Sequence, residues 1–172
     1  MENSFEVIDN FLDQEDFKKI LWSILSKDFN WNFNPGITTS VEPGIHNCQF
    51  VHEFYSWYIK KYYQDVKSPH FDILLPIIEK IKPKSLIKIK ANLRTAVDNI
   101  FIPDFHTDVF DDYDSTTSIF YLNTNNGYTL FEDGTKVESV ANRIITFPAQ
   151  TRHTGVNCTN DKVRVVINFN YF

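Results

Sequence analysis

From Leu86 onward, short runs rich in β-branched and aromatic residues alternate with clusters of turn formers, and few architectures accept such a pattern. In residues 86–93, Leu86, Lys88, Lys90 and Asn92 alternate with Ile87, Ile89, Ala91 and Leu93, a period of two that predicts a strand. Residues 117–123, 128–131, 143–147 and 163–172 read the same way. Asn125-Asn126-Gly127 and Asp133-Gly134 offer the positive φ angles that tight hairpins need, and Asn142 begins a further turn. Short strands at turn-marked intervals predict an antiparallel sandwich or jelly roll.

The first half has a different texture. Phe17, Ile20, Leu21, Ile24 and Leu25 recur at helical spacing, with Asp13, Glu15 and Asp16 at the start and Lys27 near the end, matching the backbone dipole at both ends. Phe50, Val51, Phe54, Tyr55, Tyr58, Ile59 and Tyr62 also follow a helical period, and Pro76 splits or starts a third helix. The expectation is one domain over residues 1–172, mainly β, with helical support over about 1–84 bracing a jelly-roll core over about 85–172. No internal repeat or linker divides it, and 42% hydrophobic residues suffice for a core.

Seventeen Lys and Arg against 22 Asp and Glu give a formal charge of −5, without the basic excess of a nucleic-acid surface. Cys48 and Cys158 are the only cysteines, too few for a disulfide framework or a Cys-rich zinc module. The acidic start, Met1 to Glu6, does not resemble a secretory signal. The longest apolar stretch, residues 71–81, is interrupted by Asp72, Pro76 and Glu79 and falls short of the ~20 residues of a bilayer span. A cytoplasmic protein without a membrane segment is expected.

The sharpest chemical feature is His106-Thr107-Asp108. Side chains two apart on an extended segment point the same way, so an imidazole nitrogen and a carboxylate oxygen can meet one ion. His153, after Phe147-Pro148-Ala149, can return beside them. Two histidines and a carboxylate leave coordination positions open, the arrangement of non-haem Fe(II) oxygenases. Arg164 lies within the apolar run Val163 to Ile167; either this strand is at a sheet edge, or the guanidinium is buried and needs an anion, an internal Asp or Glu or a bound ligand. His46, His52 and His70 have no spacing suited to a second metal site.

With these residues in place the sequence resembles the Fe(II)- and 2-oxoglutarate-dependent dioxygenases, particularly their prolyl-4-hydroxylase-like branch. Residues 5–12 look like that branch's opening before its first helix, and residues 89–93 like its strand before the metal motif. His106-Thr107-Asp108, then Phe120-Tyr121-Leu122-Asn123, Gly127 to Gly134, Asn142 to Phe147, His153 and Arg164 follow the family's order and intervals. Gly127-Tyr128-Thr129 departs from the doubled glycine frequent at that turn.

The resemblance implies a double-stranded β-helix in which His106, Asp108 and His153 hold iron, Arg164 binds the distal carboxylate of 2-oxoglutarate and Tyr121 donates a phenol hydrogen bond to it. Asn92 resembles positions that touch cosubstrate or substrate in relatives. If Arg164 points inward, Val166, Asn168 and Asn170 share its face, and Asn168 and Asn170 are expected to line the pocket. The implied reaction is hydroxylation of a C–H bond in a small molecule or peptide, a peptidyl proline or a free amino acid being the first to test. It uses Fe(II), 2-oxoglutarate and O2, with ascorbate as a candidate reductant, and releases succinate and CO2. Asp108 favours hydroxylation over halide transfer. The rivals are a non-catalytic jelly roll holding a metal or anion, and a zinc hydrolase using the same ligands. The acidic, aromatic segment 109–114 is read either as a selector of positively charged substrates or as a solvated loop.

Overall fold

The structure, a computed structural model, describes residues 5–36, 48–57, 66–108 and 114–172. In chain order the elements are β1 (Glu6–Ile8), α1 (Gln14–Ile24), β2 (Asn32–Asn34), β3 (Gln49–Ser56), β4 (Val66–Lys67), a 3-10 turn (Phe71–Leu74), α2 (Leu75–Ile81), β5 (Leu86–Thr95), β6 (Thr116–Tyr121), β7 (Tyr128–Phe131), β8 (Lys136–Glu138), β9 (Arg143–Pro148), β10 (His153–Val156) and β11 (Val163–Tyr171).

Among the described residues the strands form two antiparallel sheets. The larger has eight strands in the order β1-β9-β6-β11-β5-β3-β2, with β4 also paired to β3, and the smaller is β10-β7-β8. Side-chain parity along β11 separates two cores. Val165, Ile167 and Phe169 point to one face, where Phe17, Ile20 and Ile24 of α1 and Ile77 of α2 cover them together with Phe54, Ile89 and Phe120. Val166 points to the other face, where Ile119, Tyr121, Ile145 and Phe147 meet Phe131 and Val137 of the smaller sheet. The site lies in this second layer, between the sheets. The expected jelly-roll core with helices bracing one outer face is the observed arrangement.

Local chemistry sets the helix ends. Asp13 caps α1 by accepting the N–H groups of Glu15 and Asp16, each at 3.0 Å. Pro76 sits in the first turn of α2, where its missing N–H is harmless, and Lys82 ends that helix in the left-handed region at φ 49°.

Two expectations need correction. Residues 49–56 form strand β3, not helix; Tyr58, Ile59 and Tyr62 lie outside the described residues. A bulge between Glu53 and Tyr55 breaks the alternation of β3 against β5, so its large apolar residues fall at 50, 51, 54 and 55, a spacing that imitates a helix. Aromatic and β-branched side chains with a full hydrogen-bonding partner on β5 decide for strand. The first half therefore contributes β1, β2, β3 and β4 to the main sheet as well as helices.

The second correction concerns the turn at residues 125–127. Positive φ occurs at Asn10, Lys82, Asn142 and Gly134 among the described residues, not at Asn125, Asn126 or Gly127. Gly127 is needed for space instead. A Cβ there would stand 2.7 Å from Arg164 Cδ and 2.8 Å from the Val156 carbonyl oxygen.

Candidate active site

His106 and His153 face each other across an isolated antiparallel bridge, each N–H donating to the other's carbonyl at 3.0 Å. Their ring centroids are 4.9 Å apart. Asp108, two residues on, completes the group: Asp108 Oδ1 is 3.7 Å from His106 Nε2, Asp108 Oδ2 is 3.8 Å from His153 Nε2, and the three ligand atoms lie within 4.8 Å of one another. The structure thus brings together the three residues singled out from the sequence.

Neighbours fix how these groups present themselves. His153 Nδ1 donates to the Thr151 carbonyl at 2.9 Å, which leaves the Nε2 lone pair facing Asp108. Phe147 and Phe131 pack around the same ring. Asp108 Oδ2 accepts from Thr117 Oγ1 on β6 and Asn170 Nδ2 on β11, both at 3.3 Å. Burial acts to raise the Asp108 pKa, but the two imidazoles, the Asn170 bond and Lys90 together hold it below the ordinary carboxylate value. For His106, desolvation outweighs the pull of Asp108 and keeps the ring nitrogen basic site unprotonated more readily than usual. An ionised carboxylate and neutral imidazoles are the forms that bind a first-row divalent ion, so this donor set fits ferrous iron.

The triad opens onto a cavity of about 250 Å³ between the sheets. One wall is a face of β5, with Lys88, Lys90, Asn92 and Arg94 in succession, and the next is β11, with Arg164, Val166 and Asn168. Asn92 and Asn168 therefore line the cavity, whereas Asn170, which strand parity also placed toward the pocket, is not in the lining and instead donates to Asp108. Residues 109–113 of the acidic segment lie outside the described residues. A larger cavity, about 400 Å³, lies beyond Arg94 against Val97 to Phe101 and Asn157, but it contains none of the three ligand candidates. The chemistry assigns the site to the smaller space.

Arg164 is 4% exposed, and its Nε donates to Ser139 Oγ at 2.8 Å and its Nη2 to Thr129 Oγ1 at 3.3 Å. Arginine ion pairs among the described residues are Arg143–Asp9 and Arg152–Glu132, so Arg164 faces no internal acid there.

Whole-fold comparison places this geometry. No family model and no curated protein matches the sequence. Solved structures do match. A prolyl hydroxylase from Trichoplax adhaerens, in complex with a hypoxia inducible factor oxygen degradation domain peptide, is 14% identical over 99% of this chain and 84% of its own, with a TM-score of 0.68. A 2OG-Fe(II) oxygenase family oxidoreductase from Burkholderia pseudomallei is 10% identical over 97% and 84%, TM-score 0.69. A non-heme alpha ketoglutarate dependent epimerase from nogalamycin biosynthesis is 12% identical over 99% and 78%, TM-score 0.63. The chain has the fold of the 2-oxoglutarate- and Fe(II)-dependent oxygenases.

Within this oxygenase fold, two features depart from the sequence expectation. Tyr121 is fully buried behind the cavity wall; its hydroxyl is 2.7 Å from Thr129 Oγ1 and its ring lies 5.6 Å below the Arg164 guanidinium carbon. Thr129, not the phenol, reaches the cavity. The second feature is Arg94, directly opposite Arg164 in the β5–β11 register and 5% exposed. Its Nη1 donates to the Gly155 carbonyl at 2.5 Å and its Nε has no partner. Burial and the charge of Arg164 pull its pKa down to about 10. The strand predicted from the sequence ends at Leu93, one residue short of Arg94. One more step of the Lys88, Lys90, Asn92 alternation finds it.

Proposed function

We propose that the chain is an Fe(II)- and 2-oxoglutarate-dependent oxygenase that hydroxylates a C–H bond of a small molecule or peptide. The observation that carries this reading is the convergence of His106, Asp108 and His153 on one cavity whose far end holds Arg164 without an acid partner among the described residues. A metal centre and an anion anchor in one enclosed space are what a chelating diacid requires.

Bound iron and 2-oxoglutarate supply the oxidising chemistry, consuming O2 and releasing succinate and CO2. The chain supplies placement. His106, Asp108 and His153 hold the ion, and Thr117 and Asn170 aim the carboxylate. Arg164 neutralises the distal carboxylate of 2-oxoglutarate, and Thr129, already accepting from Arg164 Nη2, offers its hydroxyl proton to that carboxylate when the Tyr121 hydroxyl donates to Thr129 in turn. Asn92 and Asn168 line the space around cosubstrate and substrate; Asn168 Oδ1 is buried without a partner and awaits a donor. The peptide-bound Trichoplax relative makes a prolyl peptide a reasonable first substrate, with ascorbate added as reductant.

The test is succinate formation from 2-oxoglutarate with Fe(II) and O2. Turnover lost in Asp108→Ala but not without zinc supports the oxygenase. Binding without turnover assigns the chain to a non-catalytic metal and anion binder, and hydrolysis that proceeds without oxygen assigns it to a zinc hydrolase.

A further inference from the structure

The described lining of the cavity carries more positive than negative charge. Lys88, Lys90, Arg94 and Arg164 line the cavity, against Asp108 as the one carboxylate in the lining among the described residues, in a protein whose net charge is −5. Lys88 is answered by Glu53 at 3.5 Å. Lysine ion pairs among the described residues involve Lys19, Lys67, Lys88 and Lys136, so Lys90 is not among them.

Resting on the oxygenase reading, the charges can be counted. A ferrous ion with Asp108 leaves one positive charge, Arg164 adds a second, and dianionic 2-oxoglutarate cancels both. Lys90 and Arg94 are then left over. Arg94 is buried and Lys90 half-buried; cations drawn this far out of water without an acid among the described residues are costly, and a site that keeps two of them is suited to an anion that binds. They also stand apart. Four residues along an extended strand put Arg94 and Lys90 about 13 Å from each other at the backbone. Arg94 is at the Arg164 end, bonded beside it to Gly155. Lys90 is at the metal end, close enough for its charge to act on both Asp108 and His106. It pairs in register with Asn168, whose Oδ1 has no partner.

We propose that Lys90 receives a negatively charged group of the primary substrate, so that this enzyme acts on a small carboxylate- or phosphate-bearing molecule and Lys90 selects it. A cavity of about 250 Å³ that also holds a five-carbon diacid leaves room for one compact group beside the ion. A single charge-assisted contact in a partly dry pocket is worth about 1.5–3 kcal/mol, which is roughly a tenfold to hundredfold preference over a neutral analogue.

The test uses full-length protein loaded with Mn(II), which occupies the centre without turnover, and saturated with 2-oxoglutarate. Calorimetry then measures binding of size-matched carboxylates, phosphate monoesters, their neutral amides and esters, and amines. Anions binding at least about tenfold more tightly than neutral analogues, a comparable loss in Lys90→Gln, recovery in Lys90→Arg and an unchanged 2-oxoglutarate affinity support the proposal; the carboxylate and phosphate arms identify the group. Neutral or cationic compounds binding best, no anion retained, or Lys90→Gln weakening 2-oxoglutarate as much as the second ligand overturns it. If 2-oxoglutarate fails to bind while anions still depend on Lys90, the oxygenase reading falls and the anion subsite stands.

Discussion

Arg164 of β11 and Arg94 of β5 are direct cross-strand neighbours, and both guanidiniums close on Gly155: a Cβ there would lie 3.3 Å from Arg164 Nη1 and 4.0 Å from Arg94 Nη1. Like charges opposite one another destabilise a sheet, and here neither has an acid partner among the described residues. An anion bound between the two guanidiniums would offset that cost.

Arg94→Met should therefore stabilise the ligand-free protein. A pKa drawn down from the ordinary arginine value to about 10 at a 5% exposed side chain corresponds to on the order of 3 kcal/mol against the charged form. Losing the bond to the Gly155 carbonyl costs about 1–2 kcal/mol in return, so a net gain of about 1–2 kcal/mol is expected. Thermal unfolding with and without 2-oxoglutarate checks it: the variant should melt higher alone and gain less from ligand. A lower melting point in the ligand-free variant would mean that Arg94 is satisfied in the empty fold.

Two glycines beside Arg164 should separate stability from binding. Gly127→Ala drives a Cβ to within 2.8 Å of a backbone oxygen, which cannot step aside, and should cost about 1–3 kcal/mol in urea unfolding. Gly155→Ala meets only a guanidinium tip, at 3.3 Å, and should leave unfolding nearly unchanged while weakening 2-oxoglutarate binding several-fold. Equal losses of stability in the two variants would show that the backbone near Gly127 yields.

Legibility in the sequence followed the physics of each element. The jelly-roll strands of the second half announced themselves because short runs of β-branched and aromatic residues, alternating as in β5 or largely apolar as in β11, are separated by turn formers, and the triad did so because His106 and Asp108 share a face while His153 follows at the family's interval. β3 was hidden because its bulge turns a period of two into an apparent helical one. Gly127 looked like a φ requirement, and the close approach of Arg164 that explains it comes from β11, remote in sequence. Thr129 was invisible as a site residue because its role depends on Tyr121 lying behind it, a matter of depth that parity along one strand does not encode.

Asn142 should prove to be the fastener between the N-terminal segment and the sheet. It holds φ 63°, its Oδ1 accepts from Leu12 N–H at 2.9 Å and its Nδ2 donates to the Leu12 carbonyl at 2.8 Å, all buried. Asn142→Gly keeps the backbone easy but orphans both Leu12 groups, costing about 2–4 kcal/mol. Asn142→Ala adds the left-handed penalty, about 1 kcal/mol more. Urea titration should rank native above Gly above Ala; Ala matching Gly would remove the backbone part of the account.

Acid sensitivity should trace partly to His52, far from the metal ligands. Its Nδ1 donates to the Asn30 carbonyl at 2.8 Å, and its Nε2 lies 2.8 Å from Ser68 Oγ, which itself accepts from the His70 N–H. Phe29 and Phe54 enclose the ring. Burial is the main influence lowering its pKa from 6.5; the Asn30 bond opposes this and His70 adds to it. With the folded value below the unfolded one, the unfolded chain takes up protons first as pH falls, so the stability contribution is whole above about pH 6.5 and is lost as pH drops toward the folded pKa. Urea unfolding of metal-free protein between pH 7.5 and 5 should show the decline, with a shallower slope in His52→Gln than in the native protein. His106, whose pKa is lowered as well, contributes to both slopes and cancels in the comparison. Identical slopes would mean that His52 titrates alike in the folded and unfolded chains.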